Sequence, residues 1–254
     1  MGYPNDILST RAIIKPGRCM LIPPEGRVNN VIPNLKNCIT SIIASPDYGA
    51  KHAFYTIEVK PGGGTTADFC EPGIETFLYC REGKGIVSIG GQEYAVEKEG
   101  YAFAPAGSGL GFKNNSNEPW LLLLYRQRYR PLEGYQARVI VNNLNEVEEK
   151  NYDGMENMRI KDLLPMDDLG FDFNFHTLTF DPGGCHPFVE THIQEHSIYI
   201  LEGEGVYLLD DIWVPVKKDD FIWFGSYVPQ AYYAAGRGKT TYIYSKDCNR
   251  DVAL

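Results

Sequence analysis

Leu78-Tyr79-Cys80-Arg81-Glu82-Gly83-Lys84-Gly85-Ile86-Val87 and Ile198-Tyr199-Ile200-Leu201-Glu202-Gly203-Glu204-Gly205-Val206-Tyr207 follow one pattern, 120 positions apart: strand, Glu-Gly-x-Gly turn, strand. Each copy is preceded by Pro-Gly-Gly, at Pro61 and at Pro182. Each is followed by a polar turn and an apolar strand, Lys98-Glu99-Gly100-Tyr101-Ala102-Phe103 and Lys218-Asp219-Asp220-Phe221-Ile222-Trp223. Self-similarity of this kind marks a duplicated structural unit. Around it, short runs rich in Val, Ile, Tyr and Phe (53–59, 86–89, 121–125, 174–180 and 241–244) alternate with Gly, Pro, Asn and Asp. That spacing predicts an all-β chain of two barrels or sandwiches. Helix signals are confined to the connector, where 145–150 predicts one short helical turn and 158–164 part of another. The boundary falls within 134–155, giving an N-terminal domain over 1–140 and a C-terminal domain over 141–254.

The chain has 254 residues, 13% of them aromatic, with 33 Asp and Glu against 24 Lys and Arg and a formal net charge of -9. Its length is ample for a buried core. An acidic surface argues against a nucleic-acid or anionic-membrane footprint, though not against a local basic pocket. No apolar run approaches the roughly 20 residues of a spanning helix. Met1-Gly2-Tyr3-Pro4-Asn5-Asp6 shows no basic region followed by an apolar run, so no secretory signal is expected. Cys19, Cys38, Cys70, Cys80, Cys185 and Cys248 lack C-x-x-C spacing and are expected as free thiols of a cytoplasmic protein.

Glu190-Thr191-His192-Ile193-Gln194-Glu195-His196 carries two of the five histidines. Read as H-x-x-E-H, it is the helix motif of an inverted zinc protease. On a helix, however, Glu190 stands about 200° from His192. On a strand, Glu190, His192, Gln194 and His196 share one face. Pro187 before the heptad and Ser197-Ile198-Tyr199-Ile200 after it, entering the hairpin, favour the strand. A carboxylate and two imidazoles converging inside a barrel make a divalent-metal site. Gln194 receives no role. Cys185 is off parity and expected to be structural. His52, His176 and His186 are not expected as ligands.

These residues keep the spacing of the cupin metal motif G(X)5HXH(X)3,4E(X)6G, at Gly184, Glu190, His192, His196 and Gly203, with Glu in the first His position and His in the Glu position. The halves therefore resemble cupins and the chain a bicupin, two tandem double-stranded β-helix (jelly-roll) barrels. In the second cupin motif, Asp219 stands where Gly is usual. The resemblance then implies Gln230, eleven positions on, as fourth ligand through its amide oxygen. The same alignment puts Cys70, Pro72, Thr76 and Leu110 in the ligand slots of the first half. That implies an N-terminal cupin without metal, used for packing, pocket shaping or assembly. Cupin halves often exchange strands, which hides sheet edges.

The Glu/His/His/Gln set is unusual among cupins. Together with Tyr242-Ile243-Tyr244-Ser245-Lys246, Arg11-Ala12-Ile13, Pro131-Leu132-Glu133-Gly134-Tyr135 and Trp213-Val214-Pro215-Val216, it makes nearly the whole chain similar to the (S)-ureidoglycine aminohydrolases, a manganese-dependent bicupin family. The resemblance implies hydrolysis of a linear, amidine-like C–N bond in allantoin breakdown: (S)-ureidoglycine and water give (S)-ureidoglycolate and ammonia. It implies Mn²⁺ on Glu190, His192, His196 and Gln230, although Zn²⁺ and Fe²⁺ take the same atoms. Glu190 is a candidate proton acceptor and donor as well as a ligand. Lys246 is the implied anchor for the substrate carboxylate, with Tyr207 and Tyr242 as further substrate contacts. Tyr242, four positions before Lys246, shares its strand face. The alternatives are a cupin dioxygenase or isomerase and a non-catalytic metabolite-binding cupin. Exposed sheet edges lead to the expectation of a homo-oligomer.

Overall fold

A computed structural model of the chain describes residues 10–247 and 249–252; the readings of Met1 to Asp6 and of Cys248 lie outside the described residues. Strands dominate, and helix among the described residues is limited to short 3-10 turns. The predicted strands form as His52–Thr65, Lys84–Ile89, Trp120–Arg128, Asn174–Phe180 and Thr240–Lys246. In Lys84–Ile89 every second side chain is buried, the alternation of a sheet with one face on the core.

The connector departs from expectation. Residues 158–164 are not helical: Met158–Asp162 is a strand, antiparallel to Asn174–Phe180. So short a run cannot nucleate a helix alone, whereas the neighbouring strand offers a ready ladder that buries Met158. Residues 145–150 hold only the tail of one 3-10 turn, Leu144–Glu146, whose cap Asn143 accepts a bond from the Asn145 amide. The extended pair Lys150–Asn151 follows.

The halves exchange strands. Cys19–Ile22 pairs with Phe221–Phe224 in the sheet of the second half, and Ile140–Asn143 pairs with Gly100–Ala104 in that of the first. Arg11 fastens the leading arm by two bonds, 2.6 and 2.7 Å, to the buried Asp220 carboxylate, a bidentate geometry that a lysine cannot match. Asp219 has φ of 71° and its counterpart Glu99 has 66°. This left-handed turn explains why glycine suits that position. Arg81 (2.7 Å) and Tyr199 (3.1 Å) hold the Asp219 side chain.

The two barrels differ inside. Phe69, Leu110, Phe112 and Trp120 help fill the first. Between the barrels lies an aromatic seam in which Phe77 stacks on Phe175 with centroids 3.9 Å apart, beside Tyr125 and Phe173. Each buried ring contributes about 2 kcal/mol. The seam also encloses Glu75, fully buried, with no hydrogen-bond partner for either carboxylate oxygen among the described residues. Burial and the nearby Asp172 carboxyl raise its pKa well above the ordinary range. A raised carboxyl pKa contributes stability below the ordinary value that is lost as pH rises through the folded value. Glu75→Gln, which mimics the protonated form, is therefore expected to melt about 3 °C or more above the parent at pH 8 and to match it near pH 4. Differential scanning calorimetry at the two pH values checks this; an equal or lower melting point at pH 8 contradicts it.

Candidate functional site

A cavity of about 320 Å³ opens in the second barrel, and Glu190, His192, His196, Gln230, Tyr207, Tyr242 and Lys246 all line it. The sequence-nominated residues are thus brought together, but not by the expected backbone. Within 190–196 only His196 lies in a strand, His196–Glu202; Glu190 makes an isolated bridge to Gln230, the first residue of the strand Gln230–Tyr233, and 191–195 are irregular. Strand parity does not explain their common orientation. Bonds between the irregular 190–192 segment and residues 227–230 do. The Glu190 amide donates to the Gln230 carbonyl at 2.9 Å and the Gln230 amide donates back at 3.0 Å. The Tyr227 amide donates to the His192 carbonyl at 2.7 Å, and the Thr191 hydroxyl donates to the Tyr227 carbonyl at 3.1 Å.

Both imidazoles have a tautomer set by their surroundings. His192 Nδ1 meets the Gln194 carbonyl at 3.1 Å and His196 Nδ1 meets the Ser245 carbonyl at 2.7 Å. A carbonyl only accepts, so each Nδ1 carries the proton and each Nε2 presents a lone pair. Those Nε2 atoms are 3.3 Å apart. The Glu190 Oε2 lies 3.7 Å from His192 Nε2, and the Gln230 amide group 2.8 Å from it. Adjacent donors on one divalent ion stand about 3 Å apart at ordinary bond lengths. Burial, helped by neighbouring His192, holds His196 well below the usual imidazole range, so it is neutral. Burial pushes the Glu190 carboxyl up, but the neighbouring imidazoles of His192 and His186 and the Lys246 ammonium outweigh it and leave it lowered.

Two facing lone pairs beside a carboxylate are a donor set that a divalent cation satisfies, so these residues fit such an ion. Gln230 requires one adjustment. Its Oε1 accepts from the Tyr207 hydroxyl at 3.0 Å while its Nε2 faces His192. Turning the amide over presents the oxygen and leaves Tyr207 to accept from the nitrogen. Among the described residues no three of His, Cys, Asp and Glu form a ready-made cage. The arrangement is an open half-shell beside the Gln230 amide.

Tyr242, Tyr244 and Lys246 alternate along Thr240–Lys246 and share the cavity face. Parity made Tyr244 available to sequence reading, which missed it. His186, Tyr152 and Phe188 also line the wall; they sit in short turns and bridges where no periodicity reveals orientation. His186 Nε2 lies 3.0 Å from the Tyr242 hydroxyl. His176 pairs with Asp162 at 2.8 Å, outside the donor cluster. Cys185 bridges to Tyr233 and is not part of the wall. His52, which has no partner in its own half of the sequence motif, meets Glu195 of the other half at 2.9 Å.

Comparison with known proteins agrees with this architecture. A cupin-domain family model matches residues 55–125 and again 176–245. The chain is 44% identical over 254 residues to the (S)-ureidoglycine aminohydrolase of Escherichia coli (strain K12), covering 100% of this chain and 97% of that protein. It is 32% identical over 246 residues to the probable (S)-ureidoglycine aminohydrolase of Oryza sativa subsp. japonica, covering 96% of this chain and 77% of that one. The crystal structure of protein Ylba from E. coli superposes with a TM-score of 0.89 at 42% identity, over 100% of both chains.

The purified protein is expected to retain about one divalent ion per chain, and His192→Ala almost none, as read by elemental analysis after gel filtration. An unchanged metal content in the variant removes His192 from the site.

Proposed function

The chain belongs to the cupin family, among the (S)-ureidoglycine aminohydrolases, and from that premise we propose that its second barrel hydrolyses (S)-ureidoglycine to (S)-ureidoglycolate and ammonia at a Mn²⁺ ion held by Glu190, His192, His196 and Gln230. One observation carries the reading: the four donors, Lys246 and Tyr242 line a single cavity of about 320 Å³, which suits a two-carbon acid bearing an amino and a ureido group. A bound divalent ion supplies positive charge that polarises the atoms it holds.

The chain's own residues supply the remaining chemistry. Lys246 pairs with the substrate carboxylate, and Tyr242 hydrogen-bonds the ureido group. Burial raises the hydroxyl pKa of Tyr207, Tyr242 and Tyr244 far above the ordinary range, so these tyrosines donate hydrogen bonds and do not act as bases. Glu190, ionised, takes a proton from the incoming water as its oxygen bonds to the substrate carbon. The carbon–nitrogen bond breaks and the amine, entering as ammonium, leaves as ammonia with the bonding pair.

The free thiols Cys19, Cys38, Cys70, Cys80 and Cys185 support a reducing, cytoplasmic setting. No helix among the described residues is long and apolar enough to cross a membrane. Exposed Trp213 and Tyr233, in edge-to-face contact, support a homo-oligomer.

With Mn²⁺ and freshly generated (S)-ureidoglycine, the protein is expected to release ammonia and (S)-ureidoglycolate faster than the spontaneous reaction; no acceleration ends the assignment. Lys246→Met is expected to keep its metal while kcat/KM falls about 100-fold, mostly through KM. Steady-state kinetics beside metal analysis checks this, and an unchanged KM removes the anchor role.

A further inference from the structure

His196 begins its strand where regular pairing is incomplete. On one side it pairs with Phe224. On the other, the ladder to Thr240–Lys246 starts only at Ile198, opposite Tyr244. In the first half the equivalent ladder continues through Thr76 and Glu75 to Ile74. The second half has therefore lost backbone pairing at the segment that carries His196. Side chains replace it. The Glu195 amide donates to Asp247 Oδ1 at 2.9 Å, and the Ser197 amide donates to Ser245 Oγ at 3.1 Å.

His196 faces the cavity, and its two neighbours face the seam between the barrels. There one ring from the first half meets both. His52 Nδ1 lies 2.9 Å from Glu195 Oε1, and His52 Nε2 lies 2.6 Å from Ser197 Oγ. His52, Glu195 and Ser197 are all buried, and the His52 ring stacks on Tyr125 at 4.4 Å. The adjacent Lys51 reinforces the contact: its amide donates to Glu195 Oε1 at 2.8 Å and its ammonium pairs with Asp247. At the counterpart of Glu195 in the first half, Glu75 has no such partners among the described residues.

We propose that His52, a residue of the first barrel, is a positioning residue for the metal centre of the second: by bonding both neighbours of His196 it fixes the backbone there, which the truncated ladder leaves paired on one side only. The proposal rests on His196 being a ligand. It gives the first barrel a task in catalysis without a donor of its own.

The test uses the whole chain and Mn²⁺ alone, titrated calorimetrically, with electron paramagnetic resonance reporting ligand symmetry. His52→Phe keeps the ring and its stacking but removes both bonds. It is expected to weaken Mn²⁺ binding about tenfold or more and to broaden the Mn²⁺ spectrum, as loss of outer partners does. His52→Gln, which retains a donor and an acceptor, is expected to restore most of the affinity. Ser197→Ala, a gentler change, is expected to weaken binding about threefold, and it decides the matter if His52→Phe does not fold. Parental affinity and spectrum in His52→Phe, or in Ser197→Ala when that variant decides, overturn the proposal. His196→Ala is titrated in parallel. If it binds Mn²⁺ like the parent, the ligand reading itself has failed; if it alone loses the ion, only the positioning role has.

Discussion

Lone pairs aimed at one point repel one another, and holding them there is the constraint around which the second barrel is built. His192 and His196 cannot turn away, because backbone carbonyls engage their far nitrogens. Glu190 and Gln230 cannot separate, because their amides and carbonyls bond each other reciprocally. The strain gathers beside them. Tyr227, whose amide holds the His192 carbonyl, has φ of 62°, a region a bulky side chain seldom occupies. Such an outlier persists only where surrounding bonds over-determine it. Here they are the bonds that place His192.

Duplication gave two barrels of one plan, and their interiors have diverged in opposite directions. In the first, Leu110 occupies the slot equivalent to Gln230 and is completely buried among Phe69, Phe112 and other apolar groups. Full packing there lets the backbone ladder run its whole length. The second keeps a space walled by tyrosines, and its ladder stops short at the residues flanking His196. An open cavity removes packing support from the strands around it, so that support has to come from behind. The aromatic seam and the Lys51–His52 contact provide it from the barrel that is filled. The leading strand that crosses to the second sheet and the connector strand that closes on the first make the two barrels one mechanical unit.

Much of this was legible in the chain itself. The Glu-Gly-x-Gly repeat and the short Val, Ile, Tyr and Phe runs between turn residues gave the two β units, because turn glycines and β-branched or aromatic runs are local signals. The spacing of Glu190, His192 and His196 singled out three residues that do line one cavity, although the reason assigned to it, a continuous strand, does not hold. Short-range parity cannot distinguish a strand from an irregular segment held by Tyr227 and Gln230, partners more than thirty residues away. The 158–164 helix failed for the same reason: a tertiary ladder overrode a weak local pattern. His52 was set aside because its carboxylate lies 143 positions along the chain, across the seam. His186 and Tyr152 gave no signal, since irregular segments have no period to read.

The stereochemistry of the proposed reaction limits what Glu190 does. In the substrate the ureido nitrogen outranks the amine; in the product the hydroxyl outranks the ureido nitrogen. Keeping the descriptor S while amine becomes hydroxyl therefore means inversion at carbon. Water arrives on the face opposite the departing nitrogen. One carboxylate held by its neighbours cannot serve both faces at once. The lowered pKa of Glu190 suits the water side, where an ionised acceptor is needed. The other side needs no acid if the amine is already protonated when it leaves, and the neutral tyrosine wall of the cavity supplies hydrogen bonds there without competing for the proton. In the proposed reaction, a single base at Glu190 and an anchor at Lys246 would account for both the handedness and the direction of displacement.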